Sequence, residues 1–331
     1  MDTEILETVL GGLIIAILAD IIFGEPSGYV HIAVISGKLS GSLAKRFEKT
    51  KRKRAAGTFT LYFTIFIIMI PSILFLYYLN SLNSIYIIFL LIYSVMLKTT
   101  FALSSMGKHI NPIIKSMKEG DLEKARLYLS LCVRRDTSGL DAPAIASAAI
   151  ETVAEGITDS FTGALFMYSI FGIIGAGIYR IINTLDSTFG YRDSNYFYFG
   201  KASARADTIL NYIPAMFTAA LIHISSFLLN YNVKAIPARS TFHNFQSRNA
   251  ALSIGSMAAV LNVKLEKRGK YIVNTAGFEP TFDQIRKSLR IFYLSFFLMV
   301  TFVTIPVLLV FTLLVWPHVG IIYSHGLGFL F

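Results

Sequence analysis

The 331-residue sequence has few of the residues that soluble proteins place at their surfaces. Charged residues make up 15% of it, against roughly a quarter in an average soluble domain, and 54% is hydrophobic. That balance excludes a water-soluble globular fold. A single cysteine, Cys132, excludes an internal disulfide and any CxxC metal or redox motif. The histidines, at 31, 109, 223, 243, 318 and 325, are too dispersed to suggest a metal site. No GxxxxGK followed by Ser or Thr occurs, so a P-loop is excluded, and HExxH, GxSxG and the protein-kinase signatures are absent as well. The signature of the CDP-alcohol phosphotransferases is also missing. There is no internal repeat and no low-complexity tract, and strand signals are weak, with KYIVN at 270–274 the best short candidate.

What is abundant is apolar sequence in runs. Windows at 5–23, 58–78, 83–97 and 291–315 read as membrane spans, against roughly 20 apolar residues needed to cross about 30 Å of hydrocarbon. Two more, 161–179 and 209–229, qualify on hydropathy alone. The expected fold is an all-α polytopic membrane protein with about 4 to 6 membrane-embedded helices, re-entrant segments among them, and cytoplasmic helical segments beside them. The whole chain, 1–331, is expected to form one integral membrane domain. Asp2, Glu4 and Glu7 give the first window an acidic front and no small-residue cleavage site follows it, so it reads as a retained helix rather than a signal peptide.

Orientation follows from Lys and Arg. The segment 24–57 holds eight basic residues, including the run Lys51, Arg52, Lys53 and Arg54, whereas the link 79–82 holds none. The positive-inside bias therefore puts 24–57 in the cytoplasm and the N-terminus outside. Segments 98–160, 180–208 and 231–290 are expected to be cytoplasmic too. The net charge of +10 sits in these loops, where anionic headgroups explain it better than nucleic acid does, and no nucleic-acid partner is expected. Within 98–160, IKSMKEGDLEKARLYLSL reads as a helical hairpin with Gly120 as stop and Asp121 as N-cap. The window 161–179 contains Gly163, Gly172, Gly175 and Gly177, which favours a re-entrant or protein-buried hairpin over a simple span.

The polar stretch INTLDSTFGYR, 182–192, lies between those two ambiguous windows and carries Asn183, Thr184, Asp186 and Arg192. Just before it, RRDTSGLD leads into a helical stretch where Glu151, Glu155 and Asp159 recur at i, i+4 and i+8, stacking three carboxylates on one face. The bland reading is a solvated acidic face. Against it, the rest of that helix is mainly Ala, Ile, Val and Thr, so a cation or basic partner is expected. After it, FGKASARADTILNYIP offers Lys201, Arg205, Asp207 and Asn211, with Asp207 and Asn211 on a shared helix face. An interfacial helix marking the headgroup boundary is the alternative there. Carboxylates for Mg²⁺ together with Arg and Lys for phosphates are the parts that a nucleotide-using enzyme needs.

In order, RRDTSGL, AIETVAEGITDS, YRIINTLDSTFGYR and FGKASARADTILNYIPA resemble the motifs of the CbiB/CobD family, the adenosylcobinamide-phosphate synthases of cobalamin biosynthesis. The N-terminal LADIIFGEPSGYVHIAVISGKLSGSLAKRFE is similar as well, with Asp20, Glu25, Pro26, His31, Gly37 and Glu48 in place, and HNFQSRNAALSIGSMAAVLNVKLEKRGKY keeps Ser247, Asn249 and Tyr271. The resemblance covers about residues 10–300. It implies a membrane enzyme that joins a carboxylate of adenosylcobyric acid, a corrinoid, to aminopropanol or its O-phosphate, with ATP as co-substrate and Mg²⁺ as cofactor. By that resemblance, Asp136, Glu151, Glu155, Asp186 and Asp207 are the catalytic candidates. Glu151, Glu155, Asp159 and Asp186 would hold the metal, and Arg135, Lys201, Arg205, Asn183, Asn211 and His31 would bind substrate or ATP.

The sequence departs from the family pattern at Gly156, Thr208, Met216, Arg248 and Ala250, which replace an Asn, an Asp, an Arg and two positions of a SPNAG motif. The departures leave room for a second reading, a non-catalytic or signalling membrane protein of the same superfamily, similar to AmpE. A transporter would require paired broken helices in matching halves, and no such symmetry is present.

Overall fold

The computed structural model describes residues 2–26, 28–82, 86–190, 196–231, 245, 247–316 and 330. Arg192, His243, His318 and His325 lie outside the described residues, as does part of the polar segment 231–290. The chain is an all-α polytopic membrane protein, with one small hairpin as the strand content among the described residues. It divides into two compact units. The first comprises Met1–Ala102, Gly163–Leu210 and Val300–Phe331; the second comprises Leu103–Thr162 and Asn211–Met299.

The first unit contains α1 (Asp2–Phe23), α2 (Ile32–Arg46), α3 (Lys53–Ser81), α4 (Tyr86–Lys98), α8 (Gly163–Phe189) and α9 (Lys201–Leu210). The lengths of α1 and α3 suit a bilayer, and α3 exposes Phe59, Phe66, Ile70 and Leu74 as a lipid-facing surface would. α4, expected from the window 83–97, has only 13 described residues, short of a full crossing. It packs on α1, where Gly12 admits the ring of Tyr93; a Cβ there would lie 2.6 Å from that ring. Tyr168 Oη donates to the Val9 carbonyl at 2.7 Å, so its one proton is used and Tyr93 Oη, 3.1 Å away, donates to it. α2, α3, α8 and α9 share a second core, with Leu61, Met69, Ile181, Leu185 and Phe189 buried.

The window 161–179 folds back on itself, as its glycines led us to expect. In a straight helix Gly175 would stand about 12 Å along the axis from Met167. Instead a Cβ on Gly175 would lie 2.6 Å from the Met167 carbonyl oxygen, and one on Gly163 would collide with the ring of Tyr179. The reversal is at Gly172, whose φ of 56° and ψ of −151° only glycine adopts readily. Most of the hairpin is buried in protein, and the Trp316 indole donates to the Ile170 carbonyl at its tip at 3.0 Å. The continuous helical stretch Ala142–Phe189 is therefore not one rod. Stretches long and apolar enough to cross a membrane also include Ile5–Phe23, Lys53–Ser81 and Phe282–Val315, and the bent pair Lys201–Leu210 and Tyr212–Leu228.

The second unit is built around α7 (Ala142–Gly156), with α5 (Ser104–Lys118), α6 (Leu122–Ser130), α10 (Tyr212–Leu228), α11 (Arg248–Leu261) and α12 (Phe282–Met299). Asp141 caps α7 by accepting from the Ala144 N–H at 3.1 Å, and Pro143 suits its first turn. Its alanines bring α11 and α12 close, and ten of its fifteen residues are buried. A π-helical turn, Ile157–Thr162, follows, carrying Phe161 edge-on to Phe292 and Phe296 at 5.2 Å each. The predicted helical hairpin is present as α5 and α6. α5 ends before Gly120 (φ +77°), and Asp121 accepts from the Lys124 N–H at 3.0 Å. KYIVN supplies β2 (Tyr271–Val273), antiparallel to β1 (Leu265–Lys267), with Gly269 at φ +75° in the turn.

Candidate functional site

The clearest built site lies in the second unit, on α7. Glu151 is 5% exposed, and each of its carboxylate oxygens is engaged. Ser147, one turn earlier, donates to Oε1 at 3.0 Å; Tyr271 Oη donates to Oε2 at 3.1 Å, and Arg135 Nη2 stands 3.4 Å from the same oxygen. A buried carboxylate needs such partners, because leaving its charge unpaired costs several kcal/mol at the level of about 3–5 for a broken buried pair. The hairpin is fixed to α7 through Ser147, whose Oγ accepts from the Glu266 N–H at 2.8 Å. This contact holds Tyr271 over Glu151. Burial, followed by the Glu151 carboxylate, pushes the Tyr271 phenol well above its usual range, so it stays a donor. Phe245 stacks on Tyr271 with ring centroids 4.1 Å apart, and Lys267 lies 6.0 Å from that ring.

Arg135 reaches Glu151 from the loop that begins RRDTSGL. Two bonds hold the loop to α6: Thr137 Oγ1 donates to the Arg126 carbonyl at 3.1 Å, and Arg126 Nε donates to the Leu140 carbonyl at 2.8 Å. The neighbouring Asp136 is exposed and accepts from the Ser138 N–H at 2.9 Å; that bond holds its carboxyl below the usual range. Glu155, one turn beyond Glu151, is solvent-accessible. Asp159 lies in the π turn, and Asn211, 2% exposed, precedes α10. Glu151 and Asp159 share a helix face only as a stack, with about 12 Å of axial rise between them. Among the described residues no three of His, Cys, Asp and Glu converge to hold a metal ion.

The remaining sequence candidates fall in the first unit. Asn183 on α8, buried, donates from Nδ2 to Asp207 Oδ1 on α9 at 3.2 Å. Asp186 is one turn further along α8, where its carbonyl accepts from the Gly190 N–H at 2.7 Å. Lys201 and Arg205 are exposed on α9. His31 is buried as the N-cap of α2, its Nδ1 accepting from the Ala33 N–H at 3.2 Å. Burial and, next, the positive charge of Arg180 hold its imidazole below the usual value, against an opposing pull from Glu25. The candidates are thus gathered in sixes: Arg135, Asp136, Glu151, Glu155, Asp159 and Asn211 in one unit, the other six in the other.

Sequence reasoning missed Ser147 and Lys267. Ser147 was in reach, since it stands four residues before Glu151 on the same face. It also missed Lys98, which pairs with Asp20 at 3.1 Å with both side chains buried.

Comparison with known proteins agrees on one family. The family described as CobD/Cbib protein matches residues 13–292. The probable cobalamin biosynthesis protein CobD of Thermoplasma volcanium is 43% identical over 298 residues, covering 90% of this chain and 97% of its own. The protein of the same description from Pyrococcus abyssi is 36% identical, covering 85% and 90%. The cobalamin biosynthesis protein CobD of Clostridium perfringens is 34% identical, covering 84% and 89%. No solved structure matches the chain.

Proposed function

Since the chain belongs to the CobD/Cbib family, we propose that it serves cobalamin biosynthesis as an ATP-dependent acid–amine ligase. In this reading it joins a carboxylate of adenosylcobyric acid to the amine of aminopropanol or of its O-phosphate. The observation that carries the reading is the Glu151 site: a buried carboxylate held by Arg135, Ser147 and Tyr271, with a second, accessible carboxylate one turn away.

Amide formation from a carboxylate needs the oxygen to leave, and transfer of a phosphoryl group from ATP to that oxygen supplies a leaving group for the amine to displace. Glu151 is committed to its three partners, so its task is to hold Arg135 and Tyr271 in place. Arg135 presents the remainder of its guanidinium to anionic oxygens. Glu155 is the carboxylate left for a cation. Mg²⁺ binds through one or two carboxylates plus phosphate oxygens, so Glu155 with ATP fits its needs, and bound there it would neutralise phosphate charge. Asp136, beside Arg135 in sequence and exposed, is a further acidic candidate of this unit. Asn183, Asp186, Lys201, Arg205 and Asp207 carry the family motifs of the other unit and are assigned to substrate. ATP is cytoplasmic, so the reading puts both polar groups on the cytoplasmic face of the cell membrane.

The test is a direct assay on the purified protein with adenosylcobyric acid, either amine, ATP and Mg²⁺, following the amide product and ADP together. Product that requires ATP and is lost in Asp186→Ala supports the ligase. Failure to form product with either amine, alongside failure to restore corrinoid synthesis in a strain lacking the enzyme, refutes it and favours the non-catalytic alternative.

A further inference from the structure

A second polar concavity, of about 790 Å³, lies wholly within the second unit and shares no lining residue with the Glu151 site. Its long wall is one face of α5, where Ser104, Lys108, Asn111, Lys115 and Glu119 recur at spacings of three and four. α6 closes one side with Lys124 and Tyr128, and Tyr293 of α12 forms the floor. Tyr293 reaches the groove because residue 107 is glycine; a Cβ there would collide with the phenol oxygen. The concavity is open to solvent, and its volume is within the range of small-molecule sites.

Its charge is uneven. Lys124 is engaged with Asp121 at 2.7 Å. Lys108 and Lys115 make no ion pair among the described residues, both are exposed, and seven residues put them about 10 Å apart along one helix face. Two cations held in line, with an amide, a hydroxyl and phenol groups between and beneath them, form a set of donors for several anionic oxygens at once. The carboxylate of Glu119 at the far end opposes this and limits the anion to the Lys108–Lys115 portion.

We propose that this groove binds a ligand through a phosphate or oligophosphate group, held by Lys108 and Lys115 with Asn111 and the Tyr293 hydroxyl beneath. The phosphate has two sources, a soluble phosphorylated compound or the headgroup of an anionic lipid. The site stands whether or not the ligase reading does, because none of its residues enters that reading.

The experiment uses the full-length protein in a neutral detergent, titrated calorimetrically with inorganic tripolyphosphate. Wild type is expected to bind saturably. Lys108→Gln/Lys115→Gln is expected to weaken binding about tenfold or more, and Lys45→Gln/Lys118→Gln, the same charge change on exposed lysines outside the groove, to change it less than about twofold. Glu119→Gln is expected to tighten binding, an outcome that a misfolded variant would not produce. Phosphatidylglycerol that competes with the probe identifies a headgroup as the natural source, and absence of competition identifies a soluble ligand. The proposal is overturned by lack of saturable binding to wild type, or by equal losses in the two double variants.

Discussion

Tyr271 donates its phenol proton to Glu151 Oε2 at 3.1 Å, joining the β-hairpin to α7 across 120 residues of sequence. The bond has a structural and a chemical side, since the same carboxylate receives Ser147 and Arg135. Tyr271→Phe removes only the hydroxyl. It is expected to cost about 1–1.5 kcal/mol of stability in thermal or chemical unfolding, the net value of one such bond. In the ligase assay it should lower turnover more than affinity for ATP, because a freed Glu151 oxygen competes for Arg135. An unchanged turnover would remove Tyr271 from the site.

Glu151→Gln keeps an acceptor for Tyr271 and the size of the side chain, but removes the charge facing Arg135. Turnover should fall by at least about tenfold while the folded state survives, since a charge-assisted bond contributes about 1.5–3 kcal/mol. Glu155→Gln, at the accessible carboxylate, should instead raise the Mg²⁺ concentration needed for half-maximal turnover. If the two variants respond to Mg²⁺ alike, the division of labour between these carboxylates is wrong.

His31 supplies a pH test. Its imidazole is held below its usual value near 6.5, chiefly by burial, so the folded state disfavours the protonated form. The stability this contributes is complete above that value and is lost as pH falls below it, when the unfolded chain takes a proton that the folded chain resists. Protonation of Nδ1 would also abolish the cap on the Ala33 N–H. His31→Asn keeps a capping acceptor and does not titrate. The midpoint of unfolding should decline more steeply in wild type than in this variant as pH falls below about 6.5; parallel slopes would clear His31.

Gly172 is the hinge of the buried hairpin. Its φ of 56° and ψ of −151° fall where a side chain costs about 1–3 kcal/mol. Gly172→Ala should lose that much, whereas Gly41→Ala, where an added Cβ meets open space, should be neutral or slightly stabilising. Equal effects would contradict the reversal.

Much of this was legible in the sequence because it is local. Gly120 and Asp121 specify the α5–α6 turn through a left-handed backbone and a side-chain cap, which need no tertiary context. KYIVN, the best short candidate among weak strand signals, does form a strand, and four glycines in 161–179 favoured a chain that does not run straight. Hydropathy alone misleads at α8, since burial in protein and burial in lipid demand the same residues. The site was half legible: Arg135 and Glu151 stood in quoted motifs, but a serine such as Ser147 gains meaning only when the hairpin arrives against it. Tyr271 was carried by resemblance rather than by any local signal. Lys98, at the edge of an apolar window, carried no local signal, and only the fold sets it beside Asp20.

That pair is testable by a double-mutant cycle. Lys98 Nζ lies 3.1 Å from Asp20 Oδ1, with the two side chains 4% and 0% exposed. α1 and α4 are the most closely associated helices of the first unit, and the pair sits at the end of that contact. Removing one member deprives the other buried charge of its 3.1 Å partner, so Asp20→Asn and Lys98→Met should each destabilise, by up to about 3–5 kcal/mol. Removing both leaves no such charge. The double variant Asp20→Asn/Lys98→Met should therefore recover much of the loss, giving a coupling that an exposed pair, at about 0–1 kcal/mol, never reaches. Additive losses would mean that the two charges are balanced by other neighbours, and that the α1–α4 contact is held by apolar packing alone.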